Sequence, residues 1–197
     1  MLRYLALGDS YTIGEQVDLQ QNFPHQTVKI LSTEYGLSVQ PPEIIACTGW
    51  TTDELMGAIQ EKNLQGTFDF VSLLIGVNNQ YRNHSVENYE PEFKSLLETA
   101  IQFSGNHPEK VFVLSIPDWG RTPFAVDRDS QQITAAIDLY NAANRQITKD
   151  YGCHYLDITE STRSHGSLET FLAPDGLHYS EKEYAIWAAQ LAPIIAS

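Results

Sequence analysis

The fold that this sequence predicts is α/β, a three-layer α/β/α sandwich around a five-stranded parallel sheet, and three observations predict it. Five short apolar, β-branched runs recur along the chain. Segments with helically spaced apolar residues lie between and after them. The runs themselves are near-continuously apolar rather than alternating. Strands alternating with helices join through right-handed βαβ crossovers, and a parallel sheet covered by helices on both faces buries its strands completely. With five strands the commonest order is 2-1-3-4-5, the flavodoxin-like winding. The 197 residues, 1–197, have the length of a single domain, long enough to bury roughly 70% of the unfolded surface without a disulfide or metal staple.

The first apolar run is Tyr4–Leu7, and a helix follows from about Phe23 to Tyr35, ended by Gly36 just past its last turn. The second run is Glu43–Ala46. After it, Thr51-x-x-Glu54 has capping-box form and marks a helix start behind Trp50. Phe70–Ile75 is the third run. Phe93, Leu96, Leu97, Ala100 and Ile101 then share one helix face. Val111–Ile116 is the fourth run, and Ile133, Ala136, Ile137 and Tyr140 repeat the helical stripe. His154–Ile158 is the fifth. Ser180-x-x-Glu183 predicts a second capping box after Tyr179, ahead of the stripe Tyr184, Trp187, Ala188 and Leu191.

Composition narrows the classes of function. Lys and Arg number 12 against 25 Asp and Glu, a net charge of −13, and no basic cluster occurs. Nucleic-acid grooves and anionic-membrane surfaces are built on basic patches, so neither is expected as a partner. The longest apolar run, Val71–Val77, is far below the roughly 20 residues of a membrane span. The chain opens directly on a strand-like run, without the basic start, apolar stretch and cleavage site of a signal peptide, so a cytoplasmic protein is expected. Cys47 and Cys153 form no CxxC pair and no metal-like spacing; they read as buried thiols toward opposite sheet edges, with no bridge between them. No metal or cofactor is called for, and oligomeric state leaves no trace in the sequence.

In this winding, ligands sit beyond the carboxyl ends of the strands where the strand order reverses, beside strands 1 and 3. The loops there carry Gly8-Asp9-Ser10, Thr48-Gly49-Trp50-Thr51-Thr52 and Gly76-Val77-Asn78-Asn79, and the C-terminal part carries Asp175-Gly176-Leu177-His178. A hydroxyl nucleophile needs a base to take its proton and a third group to orient that base. Ser10, His178 and Asp175 supply those types. Acyl transfer also needs donors aimed at the developing oxyanion, a role open to the N–H groups of Ser10 and Gly49 and the side-chain amide of Asn78. Asp175 and His178 come from one loop, so one segment delivers orienter and base together. Asp9 directly precedes the nucleophile and reads as a structural acceptor for loop N–H groups.

These four blocks, in this order, resemble the SGNH (GDSL) hydrolase family of serine esterases and lipases. Gly8-Asp9-Ser10 matches the nucleophile block, Gly49 the glycine block, Gly76-x-Asn78 the asparagine block and Asp175-x-x-His178 the last. The resemblance spans Gly8 to His178 and implies ester hydrolysis without a cofactor on this same fold, with a small-molecule ester as partner. Two positions depart from the family pattern. Asn79 stands where an aspartate is usual, and Tyr179 where a proline usually follows the histidine.

Other readings have named features. Trp50, Tyr81 and Trp119 adjoin the catalytic-side loops and are candidates for substrate binding or for plain packing. The segment Pro117–Ser130, with Trp119, Arg121 and Phe124, is long for a βα loop and is expected to wall the acyl or alcohol site. The hydroxyl-rich Ser10-Tyr11-Thr12-Ile13-Gly14 would suit a flavin or phosphate at a helix start, a reading that leaves Asp175 and His178 idle. A catalytically dead interaction module is the third reading. Gly-x-Gly spacing, Walker A, HExxH and the Gly-x-Ser-x-Gly elbow are all absent.

Overall fold

The five apolar runs pair as parallel strands in a computed structural model that describes residues Met1–Ser197. β1 (Tyr4–Asp9), β2 (Glu43–Cys47), β3 (Phe70–Leu74), β4 (Val111–Leu114) and β5 (His154–Leu156) stand in the order β2-β1-β3-β4-β5. In register, Leu5 lies opposite Glu43 on one side and Val71 on the other. Every residue of β1, β3 and β4 is buried, whereas the edge strands β2 and β5 are partly open. Central strands covered on both faces have no polar face to show, hence the near-continuous apolar runs.

The strand ends differ from the sequence reading in informative ways. β1 runs on through Gly8 and Asp9, because Gly8 lets the following turn fold back tightly. A Cβ at position 8 would lie 2.1 Å from Thr12 Oγ1 and 2.5 Å from the Leu74 carbonyl oxygen. β4 and β5 stop at Leu114 and Leu156, two residues short of their apolar runs. There the Ser115 hydroxyl accepts the N–H groups of Ile158 and Thr159, at 2.9 and 3.1 Å, in place of strand pairing.

Eight helices complete the layers: α1 (Ser10–Ile13), α2 (Phe23–Thr33), α3 (Thr52–Lys62), α4 (Val77–Tyr81), α5 (Val86–Phe103), α6 (Ser130–Asp150), α7 (Thr159–His165) and α8 (Glu181–Ile195). α2 packs on α8, while α5 packs between α3 and α6. One apolar cluster of 38 buried residues joins the layers. Trp187 of α8 is fully buried among Tyr11, Phe23, Tyr179 and Tyr184, so α8 backs the segment that follows β1. No helix is long and apolar enough to cross a membrane.

Two local expectations are corrected. The Thr51–Glu54 capping box forms, but the Ser180–Glu183 box does not. The Ser180 hydroxyl donates instead to the Thr170 carbonyl at 3.0 Å. Glu183 is fully buried; it accepts from Ser161 Oγ at 2.6 Å and Trp187 Nε1 at 2.9 Å and faces His165 Nδ1 at 2.7 Å. The cysteines are both free but not both buried: Cys47 ends the edge strand β2 and is exposed. Cys153 is partly buried, and that burial pushes its thiol up to about 12.

Candidate active site

The rim at the carboxyl ends of β1, β2 and β3 gathers the polar blocks singled out in the sequence. Ser10 opens α1 directly after β1 and is 4% exposed. Asp9 caps that helix: its Oδ1 accepts the Tyr11 N–H at 3.0 Å. This is the structural acceptor role read from its position.

Asp175 and His178 lie in a turn closed at its base, where Ala173 N–H donates to the His178 carbonyl at 2.8 Å and Leu172 bridges Tyr179. Asp175 Oδ1 accepts the N–H groups of Leu177 and His178, both at 2.9 Å, and its Oδ2 faces His178 Nδ1 at 2.6 Å. His178 Nε2 stands 2.9 Å from Ser10 Oγ. Desolvation pushes the Asp175 carboxyl up, but the hydrogen bonds from the His178 ring and the two N–H groups outweigh it and hold its pKa below the usual value. An ionised carboxylate on Nδ1 keeps the proton on that nitrogen and leaves Nε2 free to accept from the serine. Tyr11, nearly fully buried, braces the imidazole with ring centroids 5.4 Å apart.

The opposite side of the rim is organised by α4, a helix too short for any apolar period to reveal. Each of its residues from Asn78 to Gln80 has a separate partner. Asn78 Nδ2 donates to the Trp50 carbonyl at 2.9 Å, which orients the amide and leaves its second hydrogen unspent. Asn79, fully buried, accepts the Thr52 N–H at 3.1 Å and donates to Thr52 Oγ1 at 2.7 Å. The Thr52 hydroxyl then donates to Glu92 of α5. Gln80 accepts from Trp119 Nε1 at 2.7 Å. Just past the helix, Arg82 donates to the Gly49 carbonyl at 2.6 Å and pairs with Glu54 at 3.3 Å. Gly49 sits at φ +84°, a conformation that disfavours any Cβ, and its N–H makes no hydrogen bond within the chain.

A cavity of about 190 Å³ opens beside the serine, lined by Ser10, Asn78 and His178 and by six apolar side chains, among them Tyr81, Trp119, Phe124 and Leu177. Two of the three aromatic candidates, Tyr81 and Trp119, therefore face it. Trp50 does not; it packs against the core and contributes only its carbonyl, to Asn78. The long segment after β4 walls the cavity through Trp119 and Phe124, and Phe124 N–H donates to the Gly176 carbonyl at 3.0 Å, tying that wall to the turn that bears His178.

Sequence reasoning missed the residue that anchors this wall. Asp118 is fully buried; it accepts the Gly120 N–H at 3.0 Å, the Thr134 hydroxyl at 2.8 Å and Arg163 Nε at 2.9 Å. Its signal, an aspartate two residues before a glycine in a loop, is common to ordinary turns. The hydroxyl-rich loop after β1 is no phosphate cradle: Thr12 is fully buried and the Ser10 hydroxyl faces His178. No group of three His, Cys, Asp or Glu side chains stands close enough to hold a metal ion.

Comparison with known proteins agrees with this architecture. The model of the GDSL-like lipase/acylhydrolase family matches residues 6–186. Among solved structures, the acetylxylan esterase Axe2 from Geobacillus stearothermophilus is similar with a TM-score of 0.75 and 18% identity, over 98% of this chain and 94% of that one. The lipase/acylhydrolase from Enterococcus faecalis gives a TM-score of 0.70 and 23% identity, over 100% of this chain and 96% of that one. TesA gives 0.77 and 14%, over 98% and 97%. Among curated proteins no sequence match is found. At such identities these structures speak for the fold, and the family match speaks for the chemistry: the chain belongs to the GDSL-like lipase/acylhydrolase family and is an ester-bond hydrolase.

Proposed function

We propose that the protein is a serine ester hydrolase that works through an acyl-enzyme on a small or medium acyl ester. The observation that carries the reading is one imidazole with Ser10 Oγ 2.9 Å from its Nε2 and Asp175 Oδ2 2.6 Å from its Nδ1. Those are hydrogen-bond distances for a general base and its orienter. Ser10 Oγ attacks the ester carbonyl carbon as His178 Nε2 takes its proton. The tetrahedral oxyanion is met by the N–H groups of Ser10 and Gly49 and by the unspent hydrogen of Asn78 Nδ2. Collapse expels the alkoxide, which receives the proton back from His178. Water, deprotonated by the same nitrogen, then attacks the acyl-enzyme, and Ser10 is released with its proton restored.

Substrates named for the structural neighbours, acetylxylan among them, fit this class. Ser10→Ala is expected to lower p-nitrophenyl butanoate turnover by at least about a thousandfold and to abolish labelling by an active-serine phosphonate, with the circular dichroism unchanged. Retained turnover would move the nucleophile elsewhere.

A further inference from the structure

Two cavities meet at one aromatic wall. The inner, about 190 Å³, holds Ser10 and His178 and is lined otherwise almost wholly by apolar side chains. The outer, about 480 Å³, shares Tyr81 and Trp119 with it and adds polar groups, among them His84, Arg128 and Gln132. Trp119 is 3% exposed and pinned by Gln80, so it is the fixed part of the wall. Tyr81 ends α4 and is 40% exposed; its ring meets Trp119 at 5.3 Å and Phe124 at 6.4 Å.

What holds Tyr81 from outside is Arg128. The guanidinium carbon lies 5.1 Å from the Tyr81 ring centroid, 5.5 Å from Trp119 and 6.0 Å from Phe124, and Arg128 donates to the Tyr81 hydroxyl at 3.2 Å. No carboxylate pairs with Arg128, although the chain carries a net charge of −13. Its interactions in the fold are with the wall.

We infer that Tyr81, clamped by Arg128, is the partition that limits the acyl chain, so the substrates are esters of short acyl groups. The inference rests on the serine-hydrolase reading above. The acyl group stays bound through both half-reactions, whereas the alcohol site must empty for water, so the lined apolar cavity belongs to the acyl chain. An apolar cavity of about 150 Å³ encloses benzene, with six heavy atoms, so the inner cavity takes an acyl group of about six carbons. A longer chain must displace Tyr81 toward the outer cavity. Without the Tyr81 ring the two cavities become one channel.

The test is a p-nitrophenyl ester series from acetate to dodecanoate, with wild type, Tyr81→Ala and Arg128→Met, read as the ratio of kcat/KM for decanoate over butanoate. In wild type kcat/KM falls beyond hexanoate. Each further methylene that finds an apolar site is worth about fourfold, so Tyr81→Ala raises the ratio by at least about tenfold. Arg128→Met, which keeps an apolar stem but loses the cation and the donor, raises it by about twofold to fivefold. Acetate esters of increasing alcohol size form the second series, in which the variants do not change the rank order.

An unmoved decanoate ratio in folded variants overturns the partition, as does a shift confined to the alcohol series. Should Tyr81→Ala fail to fold, Arg128→Met, altered only at an exposed arginine, decides by the same ratio. Wild-type butanoate turnover that is lost in Ser10→Ala supports the hydrolase reading whatever the ratio does. Failure of wild type to hydrolyse any ester in the series overturns both.

Discussion

Two aspartates flank the Ser10–His178 pair, and their surroundings push them in opposite directions. Asp9 precedes Ser10 and is fully buried; Oδ1 accepts the Tyr11 N–H, while Oδ2 has no partner. Burial outweighs its backbone hydrogen bonds and pushes the carboxyl up from 3.8 to about 7. The Asp175 side chain is 31% exposed, and both its oxygens are engaged by three hydrogen bonds that hold it low against its desolvation. Burial does not by itself leave a carboxylate oxygen without a partner, because Glu183 is equally buried and is met on both oxygens. The supply of donors separates the two aspartates. A carboxylate that orients a histidine must be ionised and must hold the Nδ1 proton; Asp175 has the contacts for both, and Asp9 has neither.

The sharpest way to break this comparison is to neutralise each aspartate in turn. Asp175→Asn presents an amide that can leave His178 in the wrong tautomer, and kcat is expected to fall by about 10⁴-fold. Asp9→Asn is expected to cost far less in kcat, because asparagine still accepts the Tyr11 N–H. A larger loss at Asp9 would reverse the assignment.

The next effect is on stability, and the two signs differ. A carboxyl raised in the folded state makes that state bind more protons than the unfolded chain between pH 3.8 and about 7. The contribution of Asp9 to stability is therefore full below 3.8 and is lost as pH rises through about 7. Asp175, held low, contributes above the ordinary carboxylate pKa and loses that contribution as pH falls through its lowered value. Relative to wild type, Asp9→Asn should gain on the order of 3 kcal/mol between about pH 4 and about pH 8, measured by urea unfolding at both. Parallel stability curves for the two proteins would show that Asp9 ionises without cost where it sits.

Three of the four blocks on the rim, at Ser10, Gly49 and Asn78, were legible in the sequence because each directly follows an apolar strand run, and the strand order puts those loops side by side. The Asp175–His178 turn was legible by its residue types and spacing alone, because it follows β5 only after α7, and β3 and β4 stand between β5 and β1. The clamps were not legible. α4 spans five residues, Val77–Tyr81, shorter than the window in which an apolar stripe can be recognised. Ser180 and Glu183 have capping spacing, but spacing cannot report that Ser161, His165 and Trp187 from other turns compete for the carboxylate. Cys47 was expected toward a sheet edge, but its apolar neighbours do not say that the end of that edge strand is open to solvent. Trp50, Asp118, Arg128 and Glu92 owe their roles to contacts across 16 to 47 residues of chain.

The smallest effect concerns Asn79, where the family pattern carries aspartate. The Thr52 N–H requires an oxygen at Asn79 Oδ1, so the amide nitrogen must face Thr52 Oγ1 and the single hydroxyl hydrogen must go on to Glu92. Polarity thus runs one way, from Asn79 through Thr52 to Glu92. In Asn79→Asp both neighbours of that hydroxyl are carboxylates with one hydrogen between them, and stability should fall by about 1–2 kcal/mol at neutral pH. Glu92→Gln in the same chain supplies a donor, which lets Thr52 turn its hydrogen to the carboxylate introduced at position 79 and reverses the whole relay. Asn79→Asp with Glu92→Gln should therefore recover most of the loss, a coupling of about 1 kcal/mol in a double-mutant cycle read by urea unfolding. Additive losses would mean that Asn79 and Glu92 act independently. The asparagine would then be tolerated by the Thr51–Thr52 segment without help from α5.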